Sequence, residues 1–226
     1  MFLFTNAIDI AIGIATVLGV GMLIPQTLSV MRTRDLRGVS ASWIGGGVAI
    51  NSGWIVYALS AGLWGLLPVS IGSLVLYVAM AVMVARHGRS DFPRALITAG
   101  LVIALFVIAG LVGGGVSAFG LAIALTYAGQ FSPAAWSALF SRDISGISAP
   151  TWIMGLTEAV IWAFYGASLG DSALLFGGAG ASAMSALVLL GLFRGAPTKN
   201  EEGLLTRSAS RPSRKGFAIS RGARRP

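Results

Sequence analysis

The sequence contains no cysteine and only one histidine, His87. The lack of cysteine excludes disulfide bonds, thiolate nucleophiles and cysteine-ligated metals, and a single histidine excludes a histidine metal cluster. Charge is also scarce, at 11% of 226 residues, and the only two lysines are Lys199 and Lys215. Neither lysine lies in an apolar run, so a retinal-binding Schiff base inside a membrane is excluded. We find no nucleophile–base pair in the apolar runs, and the sequence therefore predicts no enzymatic activity, no metal and no other cofactor.

The sequence instead contains long apolar runs, and 55% of its residues are hydrophobic. Runs of about 20 apolar residues span a bilayer as helices at about 1.5 Å per residue. Lipid offers no partners to backbone polar groups, so such runs must be helical. Seven of them can be drawn, at 6–30, 41–60, 67–85, 95–112, 116–140, 149–168 and 173–193. The first has no basic region before it and no clear cleavage site, so we interpret it as a retained span.

The positive charge lies on one side of these spans. Every Lys and Arg falls in loop 31–40, loop 86–94, the turn around Arg142, or the tail after Gly191. The alternating loops carry no Lys or Arg, as the positive-inside rule expects for external loops. The sequence therefore predicts seven crossings of the plasma (inner) membrane, with the N-terminus outside and the C-terminus cytoplasmic. The net charge of +8 is explained by topology, and we expect lipid, not nucleic acid, as its partner.

A duplication offset by 108 residues relates the two halves of the chain. A composition rich in Gly and Ala gives some matches by chance, but not paired Trp, Tyr, Pro and Arg-Asp in one register. Such a fixed period indicates a repeat architecture. The equivalent residues include Gly21 and Gly129, Pro25 and Pro133, Arg34 and Arg142, Gly47 and Gly155, Trp54 and Trp162, Tyr57 and Tyr165, and Gly72 and Gly180.

The repeat predicts the organisation of the whole chain. Three crossings invert a chain, yet both copies keep their basic turn on the same side, so a linker helix must lie between them. The predicted fold is an all-α membrane protein with two parallel three-helix repeats joined by this linker. Its parts are a first repeat, a linker helix 4, a second repeat and a disordered basic cytoplasmic tail, at 1–90, 91–115, 116–195 and 196–226.

Polar residues inside the predicted helices are the candidate functional residues. Pro25 should kink the first helix, and the kink is either simply tolerated or serves as a hinge. The equivalent position in the second copy is also a proline, Pro133. Asn51 shares a helix face with Trp54 and could hydrogen-bond another helix or contact a solute. Glu158 lies about ten residues, or roughly 15 Å, from the cytoplasmic end of its helix, near the bilayer centre. A carboxylate there is costly unless it is paired, hydrated or protonated, which leaves a structural, transport or proton-coupling role open.

Several motifs resemble the PQ-loop repeat proteins. These are Pro25-Gln26 near the end of the first helix, a short basic loop that ends in Gly-Val-Ser at residue 40, and a W-x-x-Y motif from Trp54 to Tyr57. Two such units around a linker look like the seven-helix SWEET sugar transporters, and each unit looks like a bacterial SemiSWEET. The resemblance covers about residues 6–193 and implies alternating access around a site between two parallel repeats.

The resemblance also implies roles for individual residues. Trp54 and Trp162 correspond to the tryptophan that lines the sugar site, Pro25 and Pro133 to hinge prolines, and Gln26 to a hinge-associated glutamine. The family's sugar-contacting asparagine on the third helix aligns with Ser73 and Ala181, which lack the amide. The implied partner is a small polar solute, with a sugar first.

Two other functions remain open. Cystinosin-like PQ-loop transporters couple amino-acid export to protons through an acidic residue on the helix after the PQ loop. Glu158 lies on that helix, about one turn from the matching position, so a proton-coupled carrier of an amino acid or another metabolite is an alternative. A non-transporting seven-helix sensor is a third function. The sequence leaves open whether the chain forms a homo-oligomer.

Overall fold

A computed structural model describes residues 2–36, 39–88, 90–141 and 147–195, with side chains from residue 7 to residue 194 within those ranges. The predicted basic tail at 196–226 and the turn around Arg142 lie outside the described residues.

The described chain is helical, and no strand occurs in it. The helices are α1 (Phe2–Thr33), α2 (Ala41–Ala61), α3 (Leu67–His87), α4 (Phe92–Gly113), α5 (Val116–Gly129), α6 (Ser132–Phe140), α7 (Ala149–Leu169) and α8 (Ser172–Gly195), with a short 3-10 turn at Trp64–Leu66.

The chain is an all-α membrane protein with seven helical crossings. Six helices, α1 to α4, α7 and α8, are each long and apolar enough to cross a bilayer. The predicted fifth span, 116–140, is present as α5 and α6 in succession. An irregular turn at Gln130 and Phe131, just before Pro133, separates these two helices.

Local sequence explains where α2 and α7 begin. Ser40 is the N-cap of α2, and its side-chain oxygen accepts a hydrogen bond from the backbone N–H of Trp43 at 3.3 Å. This cap satisfies one of the free donors of the first turn. Its equivalent, Ser148, occupies the N-cap position of α7 without a side-chain hydrogen bond.

Within each repeat, the third helix packs parallel to the first. In the first repeat, Ile12 of α1 lies beside Gly65 and Val20 lies beside Gly72, so α1 and α3 run in the same direction. In the second, α8 runs along α5 and α6, and these contacts pair Gly177 with Ala124, Gly180 with Ala128 and Gly191 with Ala138. The glycines allow this close approach between helices, as small residues do in membrane bundles.

The two repeats meet through equivalent pairs of helices. Gly19 of α1 contacts Glu158 of α7, and farther along α1 Gly21 lies by Met154, so these helices are antiparallel. The contacts of α2 with α5, at Gly53 with Ile123 and at Gly120 with Tyr57, are antiparallel too. Since α1 corresponds to α5 and α2 to α7 in the 108-residue register, the two contacts are related by a pseudo-twofold axis. The two three-helix units are therefore parallel, as predicted.

Helix α4 packs closely into the bundle and is more than a spacer between the two repeats. It packs against α2 and α5, and the backbone of Ala95 occupies the space where a side chain on Gly45 would lie. Phe106 is 1% exposed and contacts the ring of Phe119 edge-on, with 6.1 Å between centroids. The linker thus ties the second helix of one repeat to the first helix of the other.

Candidate functional site

A cavity of about 830 Å³ lies between the two repeats, within the usual volume range of small-molecule sites. We call the end of the bundle beside loops 31–40 and 141–148 the basic end. Ser40 and Thr151, two exposed residues at that end, line the cavity, whereas no residue of loops 113–115 or 169–172 does. The cavity is therefore open toward the basic end, which the charge distribution predicts to be cytoplasmic.

The cavity brings together most of the residues singled out from the sequence. Helices from both repeats and the linker contribute to its wall, which also includes Thr98 and Val102 of α4. The predicted site residues that line it are Gln26, Asn51, Trp54, Ser73, Pro133, Glu158 and Trp162. Pro25 is not among the lining residues. The roles of these residues in binding or movement remain predictions.

The equivalent tryptophans form part of the inner wall. Trp54 is 7% exposed and Trp162 is 5% exposed. Trp54 contacts the ring of Tyr127 edge-on at 6.4 Å between centroids, and Trp162 contacts Tyr165 at 6.0 Å. Each tryptophan ring is therefore packed against an aromatic neighbour, and both residues line the cavity.

Glu158 is buried in the same wall, with 6% of its surface exposed. Its Oε1 accepts a hydrogen bond from the indole N–H of Trp162 at 3.1 Å, and the two residues lie one turn apart on the same face of α7. The carboxylate also lies against Gly19 of α1, where a Cβ would collide with it. Glycine at this position is what allows a carboxylate between α1 and α7. The second oxygen, Oε2, makes no hydrogen bond to any described residue.

Two polar side chains in the first repeat's part of the cavity wall, Asn51 and Ser70, bond within their own helices. Asn51 donates from Nδ2 to the carbonyl of Gly47 at 2.8 Å, so the interhelical hydrogen bond considered for it is not what the structure contains. Ser70 likewise donates to the carbonyl of Leu66 at 2.9 Å. Ser73, at 6% exposure, lines the cavity. Asn51 lines the cavity as well.

The two prolines have different local structures. Pro25 lies inside the unbroken helix α1, whereas Pro133 follows the irregular turn between α5 and α6. Proline has no N–H to donate to the carbonyl four residues earlier. In the second repeat that carbonyl belongs to Gly129, and the hydroxyl of Ser132 donates to it instead at 2.7 Å. The side-chain bond stabilises the break.

The far side of the cavity is closed by a contact that sequence reasoning missed. Tyr57 is only 4% exposed, and its hydroxyl donates to Oδ2 of Asp171 at 2.7 Å. Asp171 also accepts from the N–H of Leu174 at 2.8 Å through Oδ1, and so caps α8. Its position just before a helix was the available signal, because Asp is a favoured N-cap residue.

The described residues bring no three His, Asp or Glu side chains together as metal ligands would be. The predictions that the protein uses no metal and no cofactor remain predictions.

Comparison with known proteins adds no relative. No model of a protein family matches this sequence, and no curated protein matches it significantly. The resemblance to PQ-loop repeat proteins therefore remains a prediction that rests on the motifs and on the 108-residue repeat.

Proposed function

We propose that this protein is a membrane transporter that moves a small polar solute by alternating access at the cavity between its two repeats. The observation that carries the proposal is that the equivalent residues Trp54 and Trp162, one from each repeat, line a single cavity open at one end. A pseudo-twofold pair of bundles can open its central site to either side by rocking. The structure corresponds to the state open to the basic end.

The opposite state requires a change at Tyr57 and Asp171. Their hydrogen bond joins the first repeat to the second on the closed side of the cavity, and a solute can leave there only after it breaks. The irregular turn before Pro133 offers the second repeat a place to bend, and such turns act as hinges in gated proteins. We further propose that the basic end is cytoplasmic, in the plasma membrane.

A sugar is the first solute class to test. A sugar ring has apolar faces, which suit aromatic side chains, and polar edges, which suit hydroxyl and amide groups. The cavity wall offers both kinds of group, at Trp54, Trp162, Asn51 and Ser73. The hydroxyl of Ser73 stands where the resemblance expects an amide.

The experiment is uptake by proteoliposomes that contain the purified protein, with a panel of labelled sugars, amino acids and amines. Uptake of any member above protein-free vesicles, saturable and blocked by an excess of the same unlabelled solute, supports a transporter. Binding of a solute without flux would support the sensor function in its place.

A proton-coupled carrier is the second candidate function, and Glu158 favours it. A carboxylate in a cavity wall near the bilayer centre can exchange a proton with each side in turn. Glu158→Gln keeps the size and the hydrogen-bond acceptor for Trp162 but cannot titrate. In a coupled carrier this variant still exchanges solute and loses accumulation driven by a pH gradient. If wild-type uptake ignores the pH gradient, the uncoupled facilitator remains.

A further inference from the structure

The charge on the described lining of the cavity has one sign. Glu158 is the only charged residue among the described residues that line it, and none of these is Lys, Arg or His. Arg37, Arg89 and Arg142 lie outside the described residues. The described arginines of loops 31–40 and 86–94 are outside the wall; these are Arg32, Arg34, Arg86 and Arg94. Along the described wall, a solute therefore meets a carboxylate and no cationic side chain.

The geometry of Glu158 leaves one oxygen for a solute. Trp162 holds Oε1 at 3.1 Å, and the carboxylate is confined between α7 and Gly19 of α1. With 6% of the side chain exposed and no described hydrogen bond to Oε2, the remaining contact surface is on the cavity side. A buried carboxylate without a counter-charge is unfavourable, and a bound cation removes that cost when its own hydrogen bonds are made.

Aromatic rings form a continuous series along the cavity from this level to the mouth. Trp54 contacts Tyr127 at 6.4 Å, Tyr127 contacts Phe131 at 5.3 Å, and Phe131 contacts Trp152 at 5.7 Å, all edge-to-face. All four residues line the cavity. Because each ring is held edge-on by a neighbour, the series is rigid. The negative faces of such rings attract organic cations, most strongly when water is excluded.

We propose that the cavity selects a small organic cation that carries one ammonium group and no carboxylate. The ammonium group lies at Oε2 of Glu158, and its carbon substituents lie against the rings of Trp54 and Trp162. The inference rests on the proposed function, since it takes the cavity as the solute site, and it specifies the class of solute. A neutral sugar leaves Glu158 without a counter-charge, whereas an amino sugar satisfies both the carboxylate and the aromatic wall.

The same chemistry argues against zwitterionic amino acids. Their carboxylate would enter a cavity whose described lining offers no Lys, Arg or His to pair with it and whose single charge repels it. This distinguishes the inference from the amino-acid carrier considered above.

The test compares pairs of solutes that differ in charge and little in shape. Choline is paired with its neutral isostere 3,3-dimethyl-1-butanol, and glucosamine with glucose. Binding to the purified full-length protein is measured by calorimetry, and uptake of labelled choline, glucosamine and glucose is measured in proteoliposomes. The variant is Glu158→Gln, and the matched control is Asp91→Asn, a carboxylate on the exposed surface before α4.

We expect the charged member of at least one pair to bind roughly tenfold or more tightly than its neutral counterpart, because a desolvated carboxylate and aromatic faces both favour it. Glu158→Gln should abolish that preference, and Asp91→Asn should keep it. The wild-type comparison needs no variant, so it stands even if Glu158→Gln fails to fold.

Equal or tighter binding of both neutral members would overturn the inference, and so would a charge preference that survives in folded Glu158→Gln. If glucose is carried while neither cation is, the solute class is wrong and the transporter proposal stands. If no solute of the full panel binds to the protein or crosses the membrane, the solute class and the transporter proposal are both wrong.

Discussion

The phenol of Tyr57 donates a 2.7 Å hydrogen bond to Asp171, a residue 114 positions later in the chain. The bond joins the second helix of the first repeat to the N-cap of α8 in the second repeat. The ring of Tyr57 also fills the space where a side chain on Gly120 would lie. Since both contacts lie on the closed side of the cavity, they hold the two repeats together where a transporter must open.

Tyr57→Phe removes the hydroxyl and keeps the ring. We expect it to shift the protein toward the state open on the far side, because a hydrogen bond to a carboxylate contributes about 1.5–3 kcal/mol. The chain has no cysteine, so a single Ser70→Cys in the cavity wall can report access. The measurement is its rate of modification by a membrane-impermeant maleimide added from the side opposite the basic end.

The expected result is faster modification of Ser70→Cys in the Tyr57→Phe background. Ser60→Ala is the control, since it removes a hydroxyl one turn further along α2 that bonds only the carbonyl of Val56. Equal rates in the Tyr57→Phe and Ser60→Ala backgrounds would show that the bond does not hold the cavity closed.

Two adjacent glycines of α2 should respond differently to alanine. A Cβ at Gly47 would collide with the ring of Tyr77, whereas a Cβ at Gly46 has no atom within 4 Å. We expect Gly47→Ala to destabilise the fold by roughly 1–3 kcal/mol, as overpacking does. Gly46→Ala should be neutral or stabilise by up to about 1 kcal/mol, because alanine is the better helix former. Thermal unfolding midpoints in detergent provide the measurement, and equal midpoints would contradict the packing described here.

The break between α5 and α6 should depend on Pro133. Pro133→Ala restores an N–H that can donate to Gly129, so the two helices should join into one. Spin labels on the lipid-facing residues Leu121 and Phe140 should then move toward the roughly 28 Å of a straight helix with that separation. Solute flux should fall, since the second repeat loses its place to bend.

Pro25→Ala is the matched control, because α1 is already unbroken at that proline. The distance between spin labels on the exposed residues Val17 and Met31 should be the same, within error, with and without Pro25→Ala. If the label distance along α1 changes as much as the label distance across α5 and α6, the two prolines act alike. That result would contradict the structure.

The seven crossings predict where the chain ends lie. A reporter fused after Arg194 should be cytoplasmic, and one fused before Asn6 should be external, because every Lys and Arg lies at the basic end or in the tail. Protease protection in sealed cells and in inverted vesicles distinguishes the two sides. Both reporters on one side would contradict an odd number of crossings.

The helices and their order could be predicted because lipid imposes one solution on an apolar run. The predicted span 41–60 is observed as Ala41–Ala61, and 67–85 as Leu67–His87. The parallel arrangement followed from the repeat, and Trp54 and Trp162 were paired by register alone. These features depend on length, periodicity and duplication, which a sequence displays directly.

What could not be predicted depends on contacts between distant residues or on single backbone bonds. Pro25 and Pro133 are equivalent in the repeat, but Ile24 stands where Ser132 precedes Pro133, and only Ser132 has a hydroxyl that bonds the carbonyl of Gly129 at the break. For Asn51 an interhelical hydrogen bond and a solute contact were considered, and the observed bond to the carbonyl of Gly47 in its own helix was missed. The partner of Tyr57 is 114 residues away, and no local pattern identifies a hydrogen bond over that separation.

The most direct test of the account is solute flux in the tryptophan variants. Trp54→Ala and Trp162→Ala each remove a ring from the cavity wall, and Trp136→Ala removes one that is 68% exposed on the outside of the bundle. Initial rates of uptake are measured in proteoliposomes with equal amounts of folded protein, for a solute that the wild type carries. The account predicts that flux falls at least roughly tenfold in both cavity variants, because each ring contributes large contact area to the solute, and stays near wild type in Trp136→Ala. Wild-type flux in both cavity variants would contradict the claim that the solute crosses between the two repeats.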